Sequence, residues 1–229
     1  MDSRMQTVRD NYARIQNNIA EAAIKSDRSP EDIAFMAVTK TVDPVLVNTA
    51  IDCGISLLGE NRVQEWQSKH EEYRPGVPVD FIGALQANKV KYLMGSIRLI
   101  HSVDRMSLAK EIDKQAEKHN LMQDILLEVN IGGEDTKSGI TPDGVPGLLE
   151  EISALPHVHV CGLMTIPPPT TDTRFLKAMQ ELFLKTKEIP GADMRILSMG
   201  MSDDYADAIR FGSNLVRVGS ALFGARVYK

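Results

Sequence analysis

Hydrophobic and polar positions follow two different periods along the chain. In the first two dozen residues Met5, Val8, Tyr12, Ile15, Ile19, Ala22 and Ala23 recur at three- and four-residue steps, the apolar stripe of an amphipathic helix. An N-terminal helix is therefore predicted over residues 1–26. Ser29, Pro30 and Asp32 then supply the hydroxyl cap and first-turn proline of a helix start. From residue 33 the pattern changes. IAFMAVTK (33–40) is almost continuously apolar and ends in polar residues, as expected of a strand buried on both faces of a parallel sheet. Asp43 and Pro44 open the next helix.

The alternation continues through ISLLGEN, VDFIGALQ, IRLIHSVD, DILLEVNI, VHVCGLMTI, MRILSMG and LVRVG. Helices are predicted between these runs, from about Val63, around Lys91, from Asp104 to about His119, and from about Pro142, Thr173 and Asp203. Strands alternating with helices imply βαβ units and a parallel sheet. Eight strands in a chain slightly shorter than the usual ~250 residues fit a single (β/α)8 TIM barrel. The α/β reading is thus one domain over residues 1–229, with an extra N-terminal helix before a barrel over 33–229. A doubly wound open sheet is the alternative. No linker divides the chain, and Pro167 to Pro169 read as a stiff loop after the sixth strand.

Composition narrows the class. Hydrophobic residues make up 43% and charged residues 25% of 229, as in ordinary soluble globular proteins. The formal net charge of −5 argues against a general nucleic-acid or anionic-membrane binder. Cys53 and Cys161 lie far apart without metal-finger spacing, which suits a reducing cytoplasm. The polar N-terminus has no signal-peptide pattern, and no run approaches the ~18 apolar residues of a membrane span. A soluble, unprocessed, cytoplasmic protein is expected.

In such a barrel, functional groups gather where strands end, and phosphate is often held after strands seven and eight. The predicted strand ends carry Lys40, then Gly59, Glu60 and Asn61, then Gln86, Asn88 and Lys89, then Asn130, Thr165, Ser198 to Ser202, and finally Arg217, Gly219 and Ser220. In SMGMSDD, the Ser202 hydroxyl is placed either to cap the next helix or, with neighbouring amides, to cradle an anion. Gly219 lets the backbone approach a ligand and Ser220 adds a hydroxyl, so the two exits together suit a phosphate. Lys40 follows a strongly apolar strand, where desolvation favours the neutral nucleophilic amine. An ion-paired or snorkelling lysine is the plainer alternative. An amine able to form a Schiff base, set beside a phosphate seat, matches the aldehyde and phosphate of pyridoxal phosphate. Arg217 lies two residues before Gly219 and so shares its face. It would either donate to a ligand ring nitrogen or pair with a carboxylate inside the barrel.

Other features are set aside. GGEDTKSG has Thr136 where a phosphate-binding loop needs glycine, and reads as an ordinary loop. His157, His159 and Cys161 alternate at the start of the sixth strand, away from the expected mouth, and are assigned a structural role with no metal. Cys53 precedes Gly54 at a helix end. His70 and His119 are expected in solvent and His101 at a strand end, while Glu128 and Asp104 have no evident partner.

The ordered motifs AVTK, GENRVQE, FIGALQANK, HSVDR, KSG, GLMTIP, SMGMSDD and VRVGSALFGAR resemble the YggS/PROSC family of pyridoxal-phosphate homeostasis proteins, from about residue 5 onwards. The resemblance implies the type III pyridoxal-phosphate fold, similar to the alanine racemase barrel, with the cofactor in a rather open site. By position it implies Lys40 as the lysine that bonds the cofactor, Asn61 beside the ring, Ser202, Gly219 and Ser220 at the phosphate, and Arg217 facing the pyridine nitrogen. Two departures stand out. Asp80 replaces a histidine common before FIG, and Ser220 replaces a threonine while keeping the hydroxyl.

The same resemblance implies a binder or carrier of pyridoxal 5'-phosphate, holding it for storage or for transfer to apoenzymes that depend on it. Alanine racemases add a second domain that supplies a tyrosine base, for which this chain has no room. Racemisation needs bases on both faces of the substrate carbanion, so no catalytic residues are assigned. A racemase or lyase is the alternative. A monomer is expected, because the domain that dimerises alanine racemase is missing.

Overall fold

Every apolar run singled out in the sequence contains a strand. The structure, a computed structural model, describes residues 3–224. The strands are β1 (Ala34–Val38), β2 (Leu58–Glu60), β3 (Val79–Phe81), β4 (Leu99–Val103), β5 (Gln123–Val129), β6 (Val158–Thr165), β7 (Ile196–Ser198) and β8 (Leu215–Val218). They follow one another in chain order around a closed parallel barrel, so the open doubly wound sheet is excluded. The helices are α1 (Ser3–Ile24), α2 (Pro44–Cys53), α3 (Val63–Lys69), α4 (Met106–Lys118), α5 (Val145–Ser153), α6 (Arg174–Lys187), α7 (Tyr205–Arg210) and α8 (Ser220–Phe223). Met1 and Asp2 of the predicted first helix, and Ala225 and Arg226 of the last motif, lie outside the described residues. Among those residues no helix is long and apolar enough to cross a membrane.

The chain packs as two compact units, residues 80–198 and the remainder. In the unit formed by residues 1–79 and 199–229, β1 lies between β2 and β8, with Ala37 registered on Leu58 and Met36 on Arg217. Helix α1 buries Val8, Ile15, Ile19, Ala22 and Ala23 of the predicted stripe in the core, with Met5 and Tyr12 half-buried, and packs against α2, α7 and α8. Polar ties reinforce it: the Asn11 amide donates to the Leu222 carbonyl at 3.0 Å and Arg14 to Ala221 at 3.3 Å. The cap at Ser29 forms as predicted, its hydroxyl accepting from the Glu31 amide over a short 3-10 turn. Asp43 caps α2 by accepting from Val45, and Cys53 closes it before Gly54.

In the unit of residues 80–198, Asp80 is registered on Leu99, Leu99 on Asp124, and Asp124 on His159. A bulge at Cys161 shifts the β5–β6 register. Directly after it Gly162 permits the closest strand approach, since a Cβ there would sit 1.9 Å from the Ile196 carbonyl oxygen. Leu99, Leu126, Cys161, Met164 and Ile196 pack together at this level.

Three histidine and acid expectations change. His101 is in the middle of β4 and fully buried; the run IRLIHSVD enters its strand two residues later than it reads. His70 is half-buried, its ring 4.6 Å from that of Trp66 and bonded to the Trp66 carbonyl at 3.1 Å. Glu128 and Asp104 both have partners, Ser138 at 2.8 Å and Arg105 at 2.6 Å.

Candidate functional site

The surroundings of Lys40 follow from its neighbours. Phe35 stacks on Tyr12 of α1, and Thr39 meets Glu60 and Lys69, while Met36 and Val38 turn to the other face of β1. Met36 is registered on Arg217, which puts Arg217 on the face of Met36 and Val38, and Gly219 lies against Val38. Lys40 and Asn61 each follow two residues after the registered pair Val38–Gly59, just beyond the ends of β1 and β2. Lys40 itself is half-buried and Arg217 only 3% exposed.

The serines of the seventh and eighth strand exits meet. Ser220 Oγ donates to Ser202 Oγ at 3.1 Å, and the Ala221 amide donates to the same Ser202 oxygen at 3.1 Å. Ser202 does not cap α7, whose N-cap position is Asp204; the Asp204 carboxylate takes the Met201 amide instead, at 2.7 Å. That leaves the Ser202 hydroxyl turned towards the start of α8, with Ser220 exposed. Gly219 packs against β1, a Cβ there falling 3.3 Å from Val38 Cβ.

Behind Lys40 stands a network that the sequence reading missed. Lys69 Nζ donates to the Thr39 carbonyl at 2.8 Å and to Glu65 Oε1 at 2.7 Å, and lies 3.4 Å from Glu60 Oε1. Glu65 Oε1 also accepts from the Thr41 amide, and Thr41 itself sits in the left-handed region at φ 61. Glu60, fully buried, accepts from Thr39 Oγ1 at 2.6 Å and from Tyr73 OH at 2.8 Å. Burial, and next the Glu60 charge, push the Tyr73 phenol far above its ordinary range. The residues on either side of Lys40 are thus held by one buried ion cluster. The signal was present in spacing: Val63, Trp66 and Lys69 form the buried side of α3, and a lysine on such a stripe needs a carboxylate.

Asn61 Oδ1 is buried with no hydrogen-bond partner among the described residues, as is Glu60 Oε2. A buried acceptor without a donor is costly, and beside Lys40 it fits a ligand that brings one. The structure thus brings the chain just beyond β1 and β2, with Lys40 and Asn61, near the end of β8 with Arg217 and Gly219, and joins Ser202 to Ser220. A half-buried amine, a buried guanidinium and two hydroxyls can together take a small anionic aldehyde.

Asp80 plays a different part. It is fully buried, takes two hydrogen bonds from Arg98 at 2.8 and 2.6 Å, and lies 2.9 Å from His101 Nε2, whose Nδ1 is 3.1 Å from Ser198 Oγ. Its acidic character is matched by partners within its own unit.

Comparison with known proteins adds the following. Residues 11–227 match the family described as "Alanine racemase, N-terminal domain". A pyridoxal phosphate homeostasis protein of Aquifex aeolicus is 42% identical over 96% of this chain and 98% of its own. A crystal structure of a protein of unknown function from Bifidobacterium adolescentis superposes with a TM-score of 0.91 at 32% identity, over 97% of this chain and 96% of that one. PipY of Synechococcus elongatus, solved with pyridoxal phosphate bound, gives a TM-score of 0.77 at 29% identity over 90% of this chain and 100% of its own.

Proposed function

Because the chain belongs to the pyridoxal phosphate homeostasis proteins, a family built on the N-terminal domain of alanine racemase, we propose that it binds pyridoxal 5'-phosphate and serves in its storage and delivery. The register that aligns Met36 with Arg217 supports this reading, because it brings the exit of β1, which carries Lys40, next to Arg217, Gly219 and the Ser202–Ser220 pair. The residues fit the group: an orphaned acceptor at Asn61, an exposed Ser220 hydroxyl joined to Ser202, and an amine between them.

When bound, the cofactor supplies an aldehyde for an amine and a phosphate for hydrogen-bond donors. Lys40 Nζ is the amine. Ser202 and Ser220 orient the phosphate with their hydroxyls, and Asn61 holds one edge of the ring. Arg217 donates towards the ring nitrogen, and because a guanidinium gives up no proton it leaves that nitrogen unprotonated. Such a ring withdraws electrons weakly, which favours holding over turnover. We therefore infer a carrier rather than an enzyme, passing the cofactor to dependent apoenzymes.

The test is the visible absorbance of the full-length protein with pyridoxal phosphate, before and after borohydride reduction, followed by peptide mapping. Wild type should fix the cofactor on the Lys40 peptide and Lys40→Ala should not. An identical adduct in Lys40→Ala overturns the assignment of Lys40. Negligible racemase and lyase turnover by the loaded protein is also expected, and rapid turnover would replace the carrier by an enzyme.

A further inference from the structure

A second constellation lies in the unit of residues 80–198, on the opposite ends of β5 and β6 from their functional-loop exits. Asp124 and His159 are registered partners across β5 and β6, so their side chains share a face. The bulge at Cys161 brings the thiol to the same place. One ring nitrogen of His159, a carboxylate oxygen of Asp124 and Cys161 Sγ all lie within 4.8 Å of one another. His159 Nδ1 is 2.9 Å from Asp124 Oδ1, while Nε2 is 3.1 Å from Asp193 Oδ2. Asp193 is in turn bonded to Arg195 Nε at 2.9 Å.

We propose that Asp124, His159 and Cys161 form a binding site for a borderline-soft divalent cation of the zinc or cobalt class. Thiolate, imidazole and carboxylate together select such ions over magnesium or calcium, which prefer all-oxygen sets. Bond lengths of about 2.0–2.3 Å to a tetrahedral ion put ligand atoms roughly 3.3–3.6 Å apart. The Asp124–His159 pair opens slightly and the sulfur closes in, both small side-chain movements. Coordination runs through Nδ1, the nitrogen facing Asp124, while Nε2–H donates to Asp193, the carboxylate–histidine arrangement that fixes ring orientation at metal sites.

The charges also balance. Asp124 and the Cys161 thiolate neutralise a divalent ion, and Asp193 is already matched by Arg195. Cys161 now donates its thiol proton to the Ile125 carbonyl at 3.5 Å; on binding, that proton leaves to solvent as the sulfur–metal bond forms. The sulfur is buried, but Asp124 and His159 are partly exposed, with side-chain accessibilities of 42% and 35%. An ion therefore enters through them, and solvent fills the fourth position. His159 and Cys161, assigned a purely structural role from sequence alone, gain Asp124 as a third ligand only through strand pairing.

A His159 ring held between Asp124 and Asp193 by hydrogen bonds alone is the competing account of the same distances, and cobalt distinguishes them. Chelator-treated full-length protein titrated with Co2+ should bind one equivalent and develop a near-ultraviolet sulfur-to-cobalt band that Zn2+ abolishes. The band should vanish in Cys161→Ser, persist in Cys53→Ser and Lys40→Ala, and require about 10–100-fold more Co2+ in the exposed Asp193→Asn variant. Because Asp193 is at the surface, that last variant tests the site even where Cys161→Ser folds poorly. Absence of the band in wild type, its loss in Cys53→Ser, or unchanged affinity in Asp193→Asn overturns the proposal.

Discussion

The side-chain ammonium of Lys69 lies 2.8 Å from the carbonyl oxygen of Thr39, the residue immediately before Lys40. Through Glu65, which accepts from both Lys69 and the Thr41 amide, the same cation also restrains the residue after it. Replacing Lys69 by Met should remove about 3–5 kcal/mol of stability, because buried Glu60 loses its countercharge. Cofactor capture at Lys40 should slow in the same variant. Adding Glu60→Gln to Lys69→Met should recover part of the stability in urea unfolding while capture stays slow; full recovery of capture would show that the clamp does not position Lys40.

The joined hydroxyls of Ser202 and Ser220 give a ligand-specific expectation. A hydrogen bond to a charged group contributes about 1.5–3 kcal/mol, so Ser202→Ala should weaken binding of pyridoxal 5'-phosphate roughly 10–100-fold. Pyridoxal, which lacks the phosphate, should bind both forms alike. Equal weakening of both ligands in titration calorimetry would place Ser202 away from the phosphate.

Asp80 is held by Arg98 and His101, which favour a carboxylate over the histidine that the sequence resemblance implied at this position. Asp80→His would bring an imidazole against a guanidinium and a second imidazole, all within 2.6–2.9 Å of the former carboxylate. Because Arg98 is exposed to solvent, breaking this pairing should cost about 1–3 kcal/mol. Thermal unfolding of Asp80→His, alone and with Arg98→Gln, checks it: the double variant should melt at the higher temperature of the two.

Tyr73 makes stability fall at alkaline pH. Its phenol is held protonated in the fold by burial and then by Glu60, whereas in the unfolded chain it titrates near about 10. The folded state therefore retains a proton that the unfolded state releases. Its contribution is complete below about pH 10 and is lost as pH rises above it, with a slope of up to about 1.4 kcal/mol per pH unit. Tyr73→Phe should flatten this part of the curve of unfolding free energy against pH; an unchanged slope would contradict the cause.

The barrel was legible because each strand is a short apolar run between polar ends, and the segments between the runs carry helix-start residues such as Asp43 and Pro44. Arg217 and Gly219 could be placed on one face of their strand from alternation alone. Strand register was not legible, and the remaining features depend on it. The meeting of Asp124 with His159, the bulge that presents Cys161, and the burial of His101 between Asp80 and Ser198 arise from pairing between segments far apart in sequence. Ser202 was open to two readings in sequence, and the pairing of distant segments decides against the helix cap: Asp204 holds the N-cap position of α7, and the Ser202 hydroxyl is drawn to α8. Lys69 was passed over because an isolated lysine in a charged stretch reads as solvated unless the helical stripe is followed through it.

The ties between α1 and α8 have a consequence for how the protein is made. Asn11 and Leu222, bonded to each other, are 211 residues apart in the chain. At translation rates of about 5–20 residues per second, α1 is synthesised roughly 10–40 s before the segment it must grip. During that interval the Ser220 side of the site does not exist. A nascent chain thus cannot bring the two serines together until Ser220 has been made, and a polypeptide released after Val218 would carry all eight strands but lack the Ser220 hydroxyl of the proposed phosphate seat.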